Sequence, residues 1–304
     1  MQKRDGEIVR FFNPPDMKYV QAVSGVGVTN DFSRHIHRTF CIGVVQRGSR
    51  VISHSGRATV IPKNGLFVIN PDTAHTCKSL DKKGQSYLAL CIDTEHMKTI
   101  ASTISEKAQP VPYFKNAFAA DPELAHKIRS FFSLVENTSS ALEREAVLVS
   151  LLCTLILHYG DEPPVPCRVG LHDRAIKRAC EFIRTHYAQD LSLKQLSRVA
   201  CLSPFYFQRL FLKNTGISPH DYLVQFRIKK ARERLTEGHS IAGVAVDTGF
   251  VDQSHFTRSF KRVTGITPGG YISTVLPNTG QQERLISRRQ NPAIERLFRE
   301  QKSD

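Results

Sequence analysis

The feature that most limits how this chain can fold is a repeat in its C-terminal third. Residues 207–223 read FQRLFLKNTGISPHDYL and residues 256–272 read FTRSFKRVTGITPGGYI; 8 of the 17 aligned positions are identical. A segment used twice is one supersecondary unit built twice. The similarity continues upstream with a one-residue shift, Leu193-x-x-Leu196 matching Ile241-x-x-Val244. Each copy therefore reads as a short helix, a tight turn and a second helix.

Local chemistry sets the boundaries. Ser192 with Gln195 three residues on predicts a capping box, and Ser203-Pro204 an N-cap followed by an N1 proline. Gly216 and Gly265 fall where helix C-termini need a left-handed residue. In the second copy Ser240 is the expected cap and Thr248-Gly249-Phe250 the turn. Phe207 and Phe211, like Phe256 and Phe260, lie four apart and face a core, so Arg209 and Arg258 project from another side. Phe205, Gln208 and Arg209, with Gln253, Ser254, His255 and Arg258, are then expected on the outward surface near the start of each second helix. Such side chains suit base edges in a major groove, arginine for guanine and glutamine for adenine.

Charge weighs in the same direction against the alternative of a merely solvated face. The chain carries +14 overall, and residues 171–275 hold 16 basic against 8 acidic side chains. A basic excess favours a polyanionic partner. Between the copies, Pro219 to about Thr236 predicts a helix of roughly 27 Å. Such a rod suits two reading heads set about one DNA turn, 34–36 Å, apart.

With these residues in view, the stretch from Asp173 to about Ser273 resembles the AraC/XylS family of transcription regulators. The match is carried by IAGVAVDTGFVDQSHFTRSFKRVTGITPGGYI, residues 241–272. The resemblance implies base contacts at Phe205, Gln208 and Arg209 in the first copy and at Gln253, Ser254, His255 and Arg258 in the second. It also implies double-stranded DNA, RNA polymerase and a small-molecule effector as partners, and a homodimer acting as an activator. Gly243 and the Gly269-Gly270 pair depart from good helix formers, at about 1 kcal/mol each.

The N-terminal half has a different pattern. From Tyr19 to Asp93, β-rich runs such as CIGVVQ, RVISH, LFVIN and SYLALCID alternate with glycine turns, which argues for a small barrel or sandwich. Two helical stretches follow. The first starts at Pro122 after Asp121; the second, about 140–159, is apolar on several faces and reads either as core or as a subunit interface. Residues 160–170 carry three prolines and read as a linker.

His35-Ile36-His37 and, later, Pro71-Asp72-Thr73-Ala74-His75 resemble the two motifs of a cupin barrel, the sensor many relatives carry. By that resemblance His35, His37 and His75 line an effector pocket. Purely structural histidines and a metal site using them with Cys41 stay open beside it, since imidazole and thiolate suit zinc or iron. Enzymatic cupins add a Glu about four residues after the second His; here that zone is Cys41-Ile42. A metal-dependent cupin enzyme fused to a DNA-binding module is thus the alternative function, and an architectural DNA binder without effector a third. No resident cofactor is expected.

The seven cysteines contain no Cys-x-x-Cys pair and read as reduced thiols. The N-terminus has no signal-peptide pattern, and the longest apolar run, residues 146–157, is too short to span a bilayer. The expectation is therefore a cytoplasmic multidomain α+β protein. A cupin-like barrel with a helix pair (1–160) leads through a linker (161–170) to an all-α double helix-turn-helix domain joined by a long helix (171–275), then a basic tail of unassigned role (276–304).

Overall fold

The computed structural model describes residues 7–54, 56–115, 118–137, 140–166 and 173–275. The basic tail and the end of the expected linker lie outside the described residues.

The chain begins with nine strands: β1 (Ile8–Phe12), β2 (Val20–Val28), β3 (Phe32–His35), β4 (Phe40–Arg47), β5 (Arg50–His54), β6 (Arg57–Ile61), β7 (Leu66–Ile69), β8 (His75–Ser79) and β9 (Gln85–Ile92). Helix α1 (Thr94–Ser105), the short β10 (Phe118–Ala119), α2 (Pro122–Glu136) and α3 (Ala141–Tyr159) follow. The strands form two antiparallel sheets, ordered β1-β2-β9-β4-β7-β10 and β3-β8-β5-β6. Val23, Cys41, Val45, Phe67 and Ala89 of the larger sheet share one core with Ile52, Ile61 and Cys77 of the smaller.

The register explains how the larger sheet divides its side chains. Along β4, Cys41 and Val45 enter the inter-sheet core. Alternation sends Phe40, Ile42 and Val44 to the other face, where α2 packs. Both faces are buried, so β4 reads as a continuous apolar run.

The remaining helices are α4 (Asp173–His186), α5 (Leu193–Ala200), α6 (Pro204–Thr215), α7 (Pro219–Thr236), α8 (Ile241–Asp247), α9 (Gln253–Thr264) and α10 (Pro268–Val275). The chain divides into two compact units. Among the described residues, one runs through Thr185 and includes Asp190–His220; the other holds His186–Gln189 and residues 221–275.

In the first unit α3 is enclosed by α1, α2, α5 and α6. Its apolar surplus is therefore spent inside the chain. Leu151 is fully buried and Leu155 is 2% exposed, so of the two readings of 140–159 the structure favours core over subunit interface, with Val147 and Leu157 only partly buried. The hydrogen bonds agree: the Glu145 carboxylate accepts from Leu193 N at 2.7 Å, at the start of α5. Ser203, the N-cap of α6, donates through its hydroxyl to Thr103 O (3.1 Å) at the end of α1 and lies 3.3 Å from Glu106 Oε1.

The second unit is built on α7. Val224, Ile228, Ala231 and Leu235 pack with Val244, Phe250, Phe256, Phe260 and Ile272. Arg227, 2% exposed, donates from Nε to Tyr187 O (2.7 Å) and from Nη2 to Gln189 O (2.8 Å), with its guanidinium over Phe250. A charge at this depth is tolerated because two carbonyls and a ring face receive it. Gly249 completes the join: its φ is +81°, and a Cβ there would lie 2.5 Å from Ala188 O, so only glycine fits.

Candidate functional site

Two regions carry the residues singled out from the sequence. The first is a cavity of about 510 Å³ in the barrel, bordered by His35, His37, His75, Arg50, Tyr87 and Cys41, among others. Its size suits a small metabolite. The two sequence segments holding the histidines meet because β3 pairs with β8 in the register His35↔His75. His37 lies just beyond β3, in the connection to β4. The ring centroids of the three lie 4.3–5.1 Å apart.

Two of the imidazoles are oriented from behind. His35 Nδ1 donates to Ser33 O (2.6 Å) and His75 Nδ1 to Thr73 O (2.8 Å). That leaves the Nε2 lone pairs for a ligand, the arrangement also used to aim metal-binding histidines. The three could hold a metal, each offering one ligand atom within 4.8 Å of the others. Burial holds the His37 and His75 pKa values below the usual histidine range, and the Arg50 charge pushes the same way. Both rings are therefore neutral at neutral pH.

Arg50 was not singled out from the sequence. An arginine opening a strand is ordinarily solvated, and nothing local marks this one as inward. It sits over the rings of Tyr87 (4.4 Å), Phe67 (5.1 Å) and Phe32 (5.8 Å). Of the apolar residues of β4 and β7, Cys41 and Ile69 line the cavity, whereas Phe40, Ile42 and Val44 lie on the opposite side of their strand.

The second region is the pair of helix-turn-helix copies, each described within its own unit. The copies repeat in geometry as well as in residues. Gly216 and Gly265 end α6 and α9 with φ of +77° and +83°, each donating to the carbonyl four residues back at 2.8 Å. Thr215 Oγ1 lies 2.8 Å from Phe211 O and 2.9 Å from Ile217 O; Thr264 Oγ1 lies 2.8 Å from Phe260 O and 3.0 Å from Ile266 O. The capping box at Ser192 and Gln195 is present, and Ser203 and Ser240 are N-caps.

In α6, Arg209 is exposed and lies over the half-buried ring of Phe205 at 5.4 Å. Gln208 turns the other way, with Nε2 3.5 Å from Ala146 O of α3. In α9, Gln253, Ser254 and Arg258 are exposed together on the first turns. His255 is not with them. It is 7% exposed, edge-on to Phe250, with its pKa lowered by burial and then by Arg258. The Asp252 cap receives His255 N at 2.6 Å, which sets the helix phase that turns this ring inward.

Comparison with known proteins bears on both regions. Residues 23–152 match the model of the AraC-like ligand binding domain, and residues 196–274 that of a helix-turn-helix domain. The uncharacterized HTH-type transcriptional regulator YbfI of Bacillus subtilis (strain 168) is 30% identical over 237 residues, covering 78% of this chain and 86% of that protein. The chain belongs to the AraC/XylS family of transcription regulators.

Other AraC/XylS relatives are larger. An uncharacterized HTH-type transcriptional regulator of Staphylococcus aureus (strain COL) is 26% identical over 249 residues, which are 80% of this chain but 32% of that protein. Among solved structures, the C-terminal domain of AraT from Geobacillus stearothermophilus is 28% identical over 38% of this chain and 93% of that one, with a TM-score of 0.34. The DNA-binding domain of AdpA, solved with a target DNA, is 25% identical over 33% of this chain and 91% of that one, with a TM-score of 0.31. No helix among the described residues of this AraC/XylS protein is long and apolar enough to cross a membrane.

Proposed function

We propose that this regulator is a cytoplasmic, ligand-responsive activator that binds DNA sequence-specifically and without catalysis of its own. Arg209, braced by Phe205, reads one major groove; Gln253, Ser254 and Arg258 read the next. The barrel cavity holds a small effector, and RNA polymerase and a second copy of the chain are the protein partners. His255 supports α9 from beneath.

One observation carries the ligand-responsive part: a continuous run of contacts from the cavity to a reading helix. Asp93 borders the cavity and is the N-cap of α1, its carboxylate accepting from Glu95 N and His96 N. The far end of α1 supplies Thr103 and Glu106, which hold Ser203 at the start of α6. An effector that favours one seating of α1 over another thereby favours one setting of α6, the differential interaction that any ligand switch requires. Gln208 faces α3 in the seating seen, so it reaches a base only when α6 parts from α3.

The test is selection from randomised duplex DNA with full-length wild type, Arg209→Ala and Arg258→Ala. Each variant is expected to relax base preference in a different part of the site, the two parts about one helical turn apart. Uniform loss over all sequences would reduce both arginines to phosphate contacts and sink the two-groove reading.

A further inference from the structure

Arg50 is a buried cation without an anion. It is 6% exposed, yet no carboxylate among the described residues pairs with it. Its neighbours are ring faces, Gln85 Oε1 at 3.3 Å from Nη1, the Tyr87 hydroxyl and the Cys77 thiol. Its Nε is buried with no hydrogen-bond partner. Ring faces offset part of the cost of removing such a charge from water, but buried charges are ordinarily paired. The carboxylate that borders the cavity, Asp93, is committed to capping α1.

Two further polar atoms repeat the pattern. His75 Nε2 and Gln85 Nε2 are likewise buried and unpartnered. His75 and Arg50 both border the cavity. Around them the walls are apolar, with Val23, Phe32, Ile69 and Ala89 among the lining. Lys18 also borders the cavity but is exposed, so Arg50 is the buried cation of the lining; one buried positive charge matches one negative charge, and a dianionic phosphate would leave charge unbalanced beside it.

We infer that the barrel cavity binds a small monocarboxylate with an apolar body, its carboxylate seated on Arg50 and its remaining polar group facing His75. This rests on the reading of the barrel as the effector domain. The guanidinium fork is suited to a carboxylate in two parallel hydrogen bonds. Arg50 is thus held in a costly state that the ligand relieves.

The experiment uses full-length protein, thermal melting and calorimetric titration. The probes are aliphatic and aryl monocarboxylates of about four to ten carbons, a range sized to the cavity. Each is paired with its neutral amide and with a phosphate monoester of the same body; zinc chloride is a separate arm. At least one carboxylate is expected to raise the melting temperature by about 3 °C or more at saturation and to bind at least 10-fold tighter than its amide and its phosphate ester. Arg50→Met is expected to abolish that binding while melting no lower than wild type without ligand, because a buried unpaired charge has been replaced by an apolar side chain. Arg50→Lys, which keeps the charge without the fork, is expected to bind at least 10-fold more weakly than wild type.

The inference is overturned if no carboxylate binds, if amides or phosphate esters bind as well as carboxylates, if zinc alone stabilises the protein, or if Arg50→Met binds like wild type. An amide that binds and alters DNA occupancy would overturn the ligand class and leave the regulator reading standing. A carboxylate that binds through Arg50 without altering DNA occupancy would do the reverse.

Discussion

At the scale of single residues, position along a helix or strand decided less than which way the side chain could turn. His255 directly follows the exposed Gln253 and Ser254, yet its ring is under the helix and their side chains are above it. The consequence is separable in experiment. Arg258→Ala is expected to cost about 1–3 kcal/mol of binding to the preferred site and to flatten base preference there, measured by titration on matched and mismatched duplexes. His255→Ala is expected to lower the melting temperature and leave the ratio of those affinities unchanged. Acid sensitivity also belongs to single residues. Burial lowers the His96 pKa to about 4, against the pull of Asp93, and its ring stacks on Tyr19 at 3.6 Å. A histidine that titrates near 6.5 when unfolded and near 4 when folded binds its proton more readily in the unfolded chain. Stability is then full above pH 6.5 and falls as pH drops from there toward 4. The share of His96 is about 2 kcal/mol after allowance for its partly exposed ring. His96→Phe is expected to flatten the difference in unfolding free energy between pH 7 and pH 5, read by urea denaturation.

At the scale of elements, the repeat made helix ends legible because caps are local chemistry: a hydroxyl reaching an amide three residues on, or a glycine at positive φ. The barrel was legible as strands but not as faces. In β4, apolar residues occupy both parities, so Cys41 and Ile42 are equally plausible cavity residues until α2 is seen covering one side. Helix α1 is a different case, because its signal was present. Met97, Ile100, Ala101 and Ile104 follow the helical spacing and Asp93 is a good cap, so a helix pair was expected where three helices stand. Arg227 and Arg50 could not be read, since nothing in their neighbours distinguishes an inward arginine from a solvated one. Arg227→Met is expected to cost about 2–4 kcal/mol because it strips Tyr187 O and Gln189 O of their donor, seen as earlier melting and weaker DNA binding. Leu155→Asp is expected to cost more than about 4 kcal/mol and to yield aggregated protein, because α3 is core. Recovery of a folded monomer at full yield would instead restore the interface reading.

At the scale of the whole molecule, DNA affinity is expected to fall steeply with salt, since the basic excess lies in residues 171–275 and phosphate contacts release counterions. A mobility-shift series between 50 and 200 mM salt checks this, with a loss of about 10³-fold or more expected if six or more phosphates are neutralised. The family and its order, a β-rich part before a helical one, were legible because one part punctuates its strands with turns and the other repeats itself. The enclosure of α3 by α5 and α6 was not, since it joins segments far apart along the chain. That enclosure has a consequence for how the molecule is made. The last residue of α3, Tyr159, leaves the ribosome roughly 55 residues before Thr215, the end of α6. At about 5–20 residues per second the delay is roughly 3–11 seconds. During that interval the apolar side of α3 that α5 and α6 will close stands open to the cytosol, long enough for a nascent-chain chaperone to bind it or for a neighbouring polysomal chain to stick to it. Slowed translation across residues 160–215 lengthens that exposure and lowers the soluble yield.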